Sequence, residues 1–174
     1  MDIRAQLLSE LSRTNIDFTI QTLGNNKEHF RELISLVLTE KDPLPMRAAW
    51  VVEGITAKYP EMILPYMKDL IKNLRKFTHT GTLRNILKIF SRMELDEKFH
   101  GILADICFEW IAKNEMPVAV KVYAMQILAN LTRIYPELKN ELFEVIDEQI
   151  PRNSPGFKAH AKKVKMELNK LRTN

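Results

Sequence analysis

Cysteine and glycine are the residue types in which this sequence is poorest. Only one of its 174 residues is a cysteine, Cys107, which excludes an intramolecular disulfide and a zinc site built from several cysteines. Glycine occurs five times, although average usage of about 7% would give about twelve. This scarcity disfavours an all-β fold, whose hairpins depend on glycine turns. No glycine-rich phosphate-binding loop is written anywhere in the chain.

Long apolar runs and a secretory signal are also missing. No apolar stretch approaches the roughly 18 residues that a membrane-spanning helix needs. The first four residues lack the charged and then apolar plan of a signal peptide. Together with the single cysteine, these features predict a protein of the reducing cytoplasm that does not act on membranes.

Patterns for catalysis are absent as well. The four histidines are scattered, without H-x-x-x-H or H-E-x-x-H. His100 precedes Cys107 by seven residues, about 10 Å along a helix, which is too far for the imidazole to deprotonate the thiol. Glu53 is a candidate general base, although such a glutamate is more often a solvated residue at the flank of a helix. We therefore predict no cofactor, no metal and no catalytic residue, and the sequence leaves enzymatic activity open.

What the sequence does contain is an internal repeat. The pattern T-x-x-Y-P-E at residues 56–61 returns 76 residues later at residues 132–137. A third copy lies half-way between them, at a spacing of 38 residues, and apolar residues agree at four positions of every copy. These positions are Ala48, Val51, Val52 and Ile55, then Ile86, Ile89, Phe90 and Met93, then Ala124, Ile127, Leu128 and Leu131.

Each copy predicts two helices. Apolar residues recur at steps of three and four, and a Tyr-Pro pair ends the first helix because proline disfavours helical geometry in the residue before it. Asp42, Asp96 and Ser154 are predicted N-caps. The predicted pairs are Met46–Tyr59 with Glu61–Lys76, Leu83–Met93 with Asp96–Lys113, and Val118–Tyr135 with Glu137–Ile150. Gly54 and Gly101 lie inside these helices, where glycine is unfavourable, and they predict close contacts between helices.

The whole chain is then one all-α domain over residues 1–174. We expect an irregular N-terminal cap at 1–41, three helix pairs at 42–153 and a capping helix at 154–174. The cap should contain the helices Ile3–Ser12, Ile16–Leu23 and Lys27–Thr39. No segment alternates apolar and polar residues with a period of two, so no β-sheet is expected.

Stacked helix pairs of this length form solenoids, since one pair cannot bury its apolar side alone. The segment 42–171 resembles HEAT and armadillo repeats in the pattern P-x-x-M-R-A-A at residues 43–49 and in the Tyr-Pro-Glu turn. The resemblance implies a right-handed α-α superhelix. With no catalytic pattern present, we expect a non-enzymatic scaffold that binds another protein or peptide.

Two narrower resemblances suggest alternatives. The chain resembles short bacterial HEAT-like proteins, some of which are named adenylosuccinate lyases, but the lyases' glycine-rich serine loop and Lys-x-Asn-Pro motif are missing. It is similar in predicted fold to the HEAT-like glycosylases that remove alkylated purines from DNA. That family carries an aspartate four residues after a tryptophan, where this sequence has Gly54 after Trp50 and Asn114 after Trp110.

Two surfaces are candidates for binding a protein. Aligning the second helices predicts an acidic row with aromatic interruptions, which repels phosphate and suits a basic peptide, or else is a solvated face. The first helices carry a second stripe, in which Trp50 is either an anchor or packed against a neighbouring repeat. Helix Phe99–Ala112 is apolar nearly all round, so it is either central or presents a patch. The candidate residues are Tyr66, Asp69, Asp105, Phe108, Glu109, Trp110, Glu144, Asp147 and Glu148, with Arg47 and Trp50 on the second stripe.

Two basic blocks define the nucleic-acid alternative. Residues 65–92 and 151–174 each contain seven basic and one acidic residue. Such lysines also complement helix ends or solvate a terminal helix, and no aromatic residue is interleaved with them for base stacking. The candidates for binding a nucleic acid or an acidic partner are Lys72, Arg75, Lys76, Arg84 and Lys88, and Lys158, Lys162, Lys163 and Lys165, followed by Arg172.

Overall fold

The computed structural model describes residues 1–171, and within them the protein consists of α-helices and short 3-10 segments without any strand. Arg172, one of the predicted basic residues, lies outside the described residues. The helices are α1 (Ile3–Ser9), α2 (Arg13–Leu23), α3 (Lys27–Thr39), α4 (Leu44–Thr56), α5 (Met67–Asn73), α6 (Thr80–Phe90), α7 (His100–Ala112), α8 (Val118–Thr132), α9 (Leu138–Gln149) and α10 (Pro155–Lys170).

The chain forms two compact units, residues 1–89 and residues 90–174. In the first unit, α4 packs against α1, α2 and α3. In the second unit, α8 packs against α7, α9 and α10. Each unit is therefore built around one apolar helix that its neighbours cover. In the second unit the central helix is α8, because α7 leaves Ile102 45% exposed on its outer side.

The second helix of the first predicted pair is broken into three pieces. A 3-10 segment at Pro60–Tyr66 precedes α5, and another at Leu74–Lys76 follows it. Pro65 lies inside the predicted helix and has no N–H to donate to the carbonyl four residues earlier, so an α-helix cannot continue through it. The segment 60–76 still buries one apolar side, which contains Met62, Ile63 and Leu70.

Two of the three predicted N-caps are present. Asp96 accepts a hydrogen bond from the Lys98 N–H at 3.2 Å, in the 3-10 turn that leads into α7. Ser154 accepts one from the Phe157 N–H at 3.4 Å. Asp42 is not a cap, because α4 begins at Leu44 and the residue before it is Pro43, which has no capping side chain.

Arg47, a predicted partner-binding residue, closes the end of α1 instead. Its Nη1 donates to the Leu7 carbonyl at 2.7 Å. Asn15 Nδ2 donates to the carbonyls of Gln6 and Glu10 at 3.1 and 2.8 Å. The last carbonyls of a helix have no partner within it, so Arg47 joins the end of α1 to α4, and Asn15 joins it to α2.

The two helical glycines differ in what surrounds them. A Cβ added at Gly54 would lie 2.1 Å from Ile20 Cδ1, which confirms a close contact between α4 and α2. Nothing lies within 4 Å of such an atom at Gly101, so the close contact predicted there is wrong. Gly54 is needed for packing, whereas Gly101 only weakens the start of α7.

We expect Gly54→Ala to lower the free energy of unfolding by about 1 kcal/mol. Overpacking costs about 1–3 kcal/mol, which exceeds the gain in helix propensity of about 1 kcal/mol. In an Ile20→Ala background the same change should be neutral or stabilising. Urea unfolding followed by far-UV circular dichroism measures both values. Gly101→Ala is the matched control and should stabilise the protein, and equal effects at the two glycines would contradict this account.

Candidate functional site

The predicted partner-binding residues of α7 divide into surface and core. Asp105 is exposed, and Phe108 and Glu109 are partly exposed. Trp110 is only 3% exposed and belongs to the core of the second unit. The helix turns Trp110 towards the same side as Ile106 and Cys107, which are also buried. Trp110 is therefore not available as an anchor for a partner.

The remaining aromatic candidates lie in the first unit. Tyr66 is half-buried, and its ring centroid lies 5.9 Å from that of Phe30. Trp50 on α4 is half-buried as well, whereas Asp69 on α5 is exposed. Tyr66 thus contributes to packing inside its own unit, and the surface of the second unit is built without these residues.

Helix α9 carries an acidic stripe. Glu141, Glu144 and Glu148 follow one another at steps of three and four residues, which places them on one side of the helix. All three are exposed, and none of their carboxylates makes a hydrogen bond or ion pair within residues 1–171. Leu142 and Ile146 occupy the buried side.

The position of α10 shows which way this stripe faces. Lys165 donates to both carboxylate oxygens of Asp147 at 2.6 Å, and its Nζ lies 4.9 Å from the centroid of the Phe143 ring. The helix α10 therefore covers the flank of α9 that carries Phe143 and Asp147. The opposite flank of α9 carries Glu141 and Glu148, and α9 also packs against α7.

Since α7 and α9 pack against each other, we predict that their exposed side chains form one surface of the second unit. Within it, Glu109 is paired with Lys113, and Asp105 also has an interaction partner. Glu141, Glu144 and Glu148 on α9 remain without one within residues 1–171. This surface, the acidic face, consists of Asp105, Phe108, Glu109, Glu141, Glu144 and Glu148.

The acidic stripe of α9 is unfavourable for the helix that carries it. Like charges three or four residues apart destabilise a helix by about 0.2–0.5 kcal/mol per pair. The last turn of α9 contains no basic residue, although the negative end of the helix dipole favours one there. Glu148 in that turn meets both penalties, so the folding of α9 does not explain the stripe.

Several predicted nucleic-acid residues are engaged inside the protein. Lys88 Nζ lies 3.0 Å from a carboxylate oxygen of Glu53, and Lys163 Nζ lies 3.9 Å from one of Glu167. Lys165 is held by Asp147, and Arg75 has an interaction partner. The predicted residues that stay exposed without an ion pair in the described part of the chain are Lys72, Lys76, Arg84, Lys158 and Lys162.

Comparison with protein families supplies an independent test of the fold. A model of the HEAT repeat domain matches residues 3–168. The chain belongs to the HEAT repeat domain family. This membership, together with the all-helical structure, confirms the predicted all-α HEAT-like fold. Searches of curated proteins and of solved structures found no match.

Cys107 and His100 of this HEAT repeat protein, the nucleophile and base considered from the sequence, are both buried. Burial raises the pKa of the Cys107 thiol far above its ordinary value, so the thiolate does not form at neutral pH. His100 Nε2 lies 2.8 Å from the Leu95 carbonyl, and Nδ1 lies 3.0 Å from the Tyr135 hydroxyl. Since a carbonyl only accepts, Nε2 carries the proton and Nδ1 of the neutral ring accepts from Tyr135.

Residues 1–171 contain neither a metal-binding cluster nor a helix that could span a membrane. No group of three or more histidine, cysteine, aspartate or glutamate side chains comes together in a way that would hold a metal ion. None of the helices there is both long enough and apolar enough to span a bilayer.

The HEAT domain also contains a buried lysine that sequence reasoning missed. Lys121 on α8 is 1% exposed, and its Nζ donates to Gln149 Oε1 at 2.7 Å. Gln149 in turn donates to the Ala112 carbonyl at 3.1 Å, so the pair joins α8 and α9 to the end of α7. The available signal was that Lys121 is the one charged residue in the largely apolar run 116–131.

Burial lowers the pKa of Lys121 below its ordinary value of 10.5; nearby Glu115 opposes this shift and Arg152 adds to it. Between the lowered pKa and 10.5, the unfolded chain binds more protons at this site than the folded one. Stability contributed by this site therefore rises with pH through that window, because protonation favours unfolding.

We expect Lys121→Met to be neutral or stabilising at pH 7, since a buried charge is replaced by an apolar chain of similar length. Its advantage over the wild type should shrink as the pH rises towards 10.5. Urea unfolding at several pH values measures the difference. Lys162→Met, at an exposed position of α10, should show a difference that does not change with pH. A pH-independent difference for Lys121→Met as well would rule out this explanation.

Proposed function

We propose that this HEAT repeat protein is a non-enzymatic scaffold that binds a basic segment of another protein through the acidic face. The observation that supports the proposal is the unpartnered stripe of Glu141, Glu144 and Glu148 on α9. Glu144 and Glu148 lower the stability of α9 by like-charge repulsion, whereas Glu141 in the first turn gains from the helix dipole. A ligand rich in lysine and arginine offsets their repulsion when it binds.

The chemistry of the acidic face favours a peptide with both basic and apolar residues. Phe108 is partly exposed beside Asp105, and Ile102 on the same helix is 45% exposed. The aromatic ring is suited to an arginine guanidinium or an apolar side chain, since cations bind the faces of aromatic rings. Exposed ion pairs contribute about 0–1 kcal/mol each, so specificity requires several carboxylates together with these apolar contacts.

Nucleic acid is the less suitable partner for this surface. A phosphate backbone carries one negative charge per nucleotide, and the acidic face would repel it. The lysines that support nucleic-acid binding are partly neutralised by Glu53, Asp147 and Glu167. Binding through Lys158 and Lys162 remains the competing prediction, and the experiment on the acidic face distinguishes the two.

We expect the triple variant Glu141→Gln, Glu144→Gln, Glu148→Gln to bind a short lysine- and arginine-rich peptide about tenfold more weakly at low salt. This corresponds to about 0.5 kcal/mol for each exposed pair. The same variant should unfold at higher urea concentration, because repulsion within α9 is removed. Fluorescence anisotropy of a labelled peptide measures the affinity, and circular dichroism measures the unfolding.

A control variant of equal net charge shows whether position matters. Glu10, Glu32 and Glu61 are exposed in the first unit, and their replacement by glutamine should leave peptide binding almost unchanged. An equal loss in both triple variants would reduce the effect to net charge. Tighter binding of a DNA or RNA oligonucleotide than of the basic peptide at the same salt concentration would favour the competing prediction.

A further inference from the structure

A cavity lined by both polar and apolar residues lies in the first unit. It has a volume of about 300 Å³ and is enclosed by the segment that joins α3 to α4 and by the segment that leads into α6. This volume is at the lower end of the range for small-molecule sites, about 300–1,000 Å³. Val37, Pro45 and Phe77 supply apolar wall, while Lys41, Lys76 and His79 supply polar groups.

Thr82 in the wall of this cavity has a hydroxyl without a hydrogen bond. The residue is 1% exposed, and its Oγ1 is buried with no partner. Elsewhere, Thr19, Thr56 and Thr132 are equally buried in helices, and each donates to the carbonyl four residues earlier at 2.8–2.9 Å. For Thr82 that position is residue 78, which precedes α6. A buried hydroxyl without a partner costs about 1–3 kcal/mol and therefore points to a ligand that completes it.

The lysines and the histidine of the cavity supply hydrogen-bond donors, beside the amide of Asn73 and the hydroxyl of Thr78. The Gly81 N–H donates to His79 Nδ1 at 3.0 Å, so the neutral imidazole carries its proton on Nε2 and offers it as a donor. Lys41 and Lys76 are exposed cations without an ion pair within residues 1–171.

Acidic residues of the cavity do not reverse this balance. Glu40 is occupied by its ion pair with Arg4. Asp42 is exposed at the edge without a partner, so one carboxylate stands against the two ammonium groups. A cavity whose free charged groups have a net positive charge favours an acceptor with negative charge.

We propose that this cavity binds a small organic anion. Its carboxylate or phosphate group is held by Lys76, His79 Nε2 and the Thr82 hydroxyl, and its carbon part packs against Val37 and Phe77. This site is separate from the acidic face, lies in the other unit and does not depend on the proposed binding of a basic segment.

The test is a titration of the full chain with small probes, followed by the amide signals of Gly81 and Thr82 in ¹⁵N NMR spectra. Butyrate and phenyl phosphate are the anionic probes and separate a carboxylate from a phosphate ligand. Butylamine has the size of butyrate and the opposite charge. We expect saturable shifts with at least one anion at constant ionic strength and none with butylamine.

Variants then assign the shifts to the cavity. Lys76→Gln and Thr82→Val should each weaken binding of the anion about tenfold, the loss expected for a hydrogen bond between charged partners. Thr82→Val should also raise the melting temperature of the free protein, because it removes an unpaired hydroxyl. The matched controls Lys72→Gln, outside the cavity, and Thr19→Val, whose hydroxyl is bonded, should keep the affinity, although Thr19→Val lowers the melting temperature.

Three results would overturn the proposal. The first is the absence of saturable shifts at Gly81 and Thr82 with either anion. The second is an equal response to butylamine, which would mean that the cavity does not select charge. The third is unchanged affinity in Thr82→Val together with its higher melting temperature, which would show a folded protein that does not use this hydroxyl.

Discussion

The structure depends on one constraint, that a short amphipathic helix buries its apolar side only against other helices. The helix α8 satisfies it by packing against α7, α9 and α10, and α4 does so against α1, α2 and α3. Burial of apolar area contributes about 25 cal/mol per Å², and it decides which side of every surrounding helix remains outside. The functional surfaces are those remaining sides. The acidic stripe of α9 is exposed because Leu142 and Ile146 occupy the core.

The exposed and buried polar groups of this protein follow different rules. Three buried side chains have partners: Glu53 binds Lys88, Lys121 binds Gln149, and His100 binds Tyr135, whereas the Thr82 hydroxyl has none. The three pairs satisfy groups that would otherwise be costly to bury. Exposed charges need no partner, since water solvates them. Their arrangement in a repulsive stripe is informative because water and folding do not require it.

Both proposed sites contain a group that lowers the stability of the fold and that no other part of the fold compensates. On α9 the cost is electrostatic and lies at the surface, so a large and charged partner can offset it. At Thr82 the cost is one unpaired hydroxyl in a wall of limited size, so the ligand is small. Stability and binding are opposed at both places, as is common where function retains unfavourable groups. Each site belongs to one unit and acts within it.

Local spacing in the sequence was sufficient to predict the all-α class, the repeat and the HEAT resemblance. It was also sufficient to predict the caps at Asp96 and Ser154. Apolar steps of three and four residues and capping hydrogen bonds both act within one or two turns of a helix, so a short stretch of sequence contains them. The break at Pro65 followed from the same local chemistry and was foreseeable. Tertiary structure alone decided the rest. Helix α7 is apolar nearly all round, so its sequence does not indicate which side is buried. Only its packing against other helices placed Trp110 inside and left Phe108 at the surface. Partners such as Glu53 and Lys88, 35 residues apart, meet through the packing of helices, which no short-range pattern encodes.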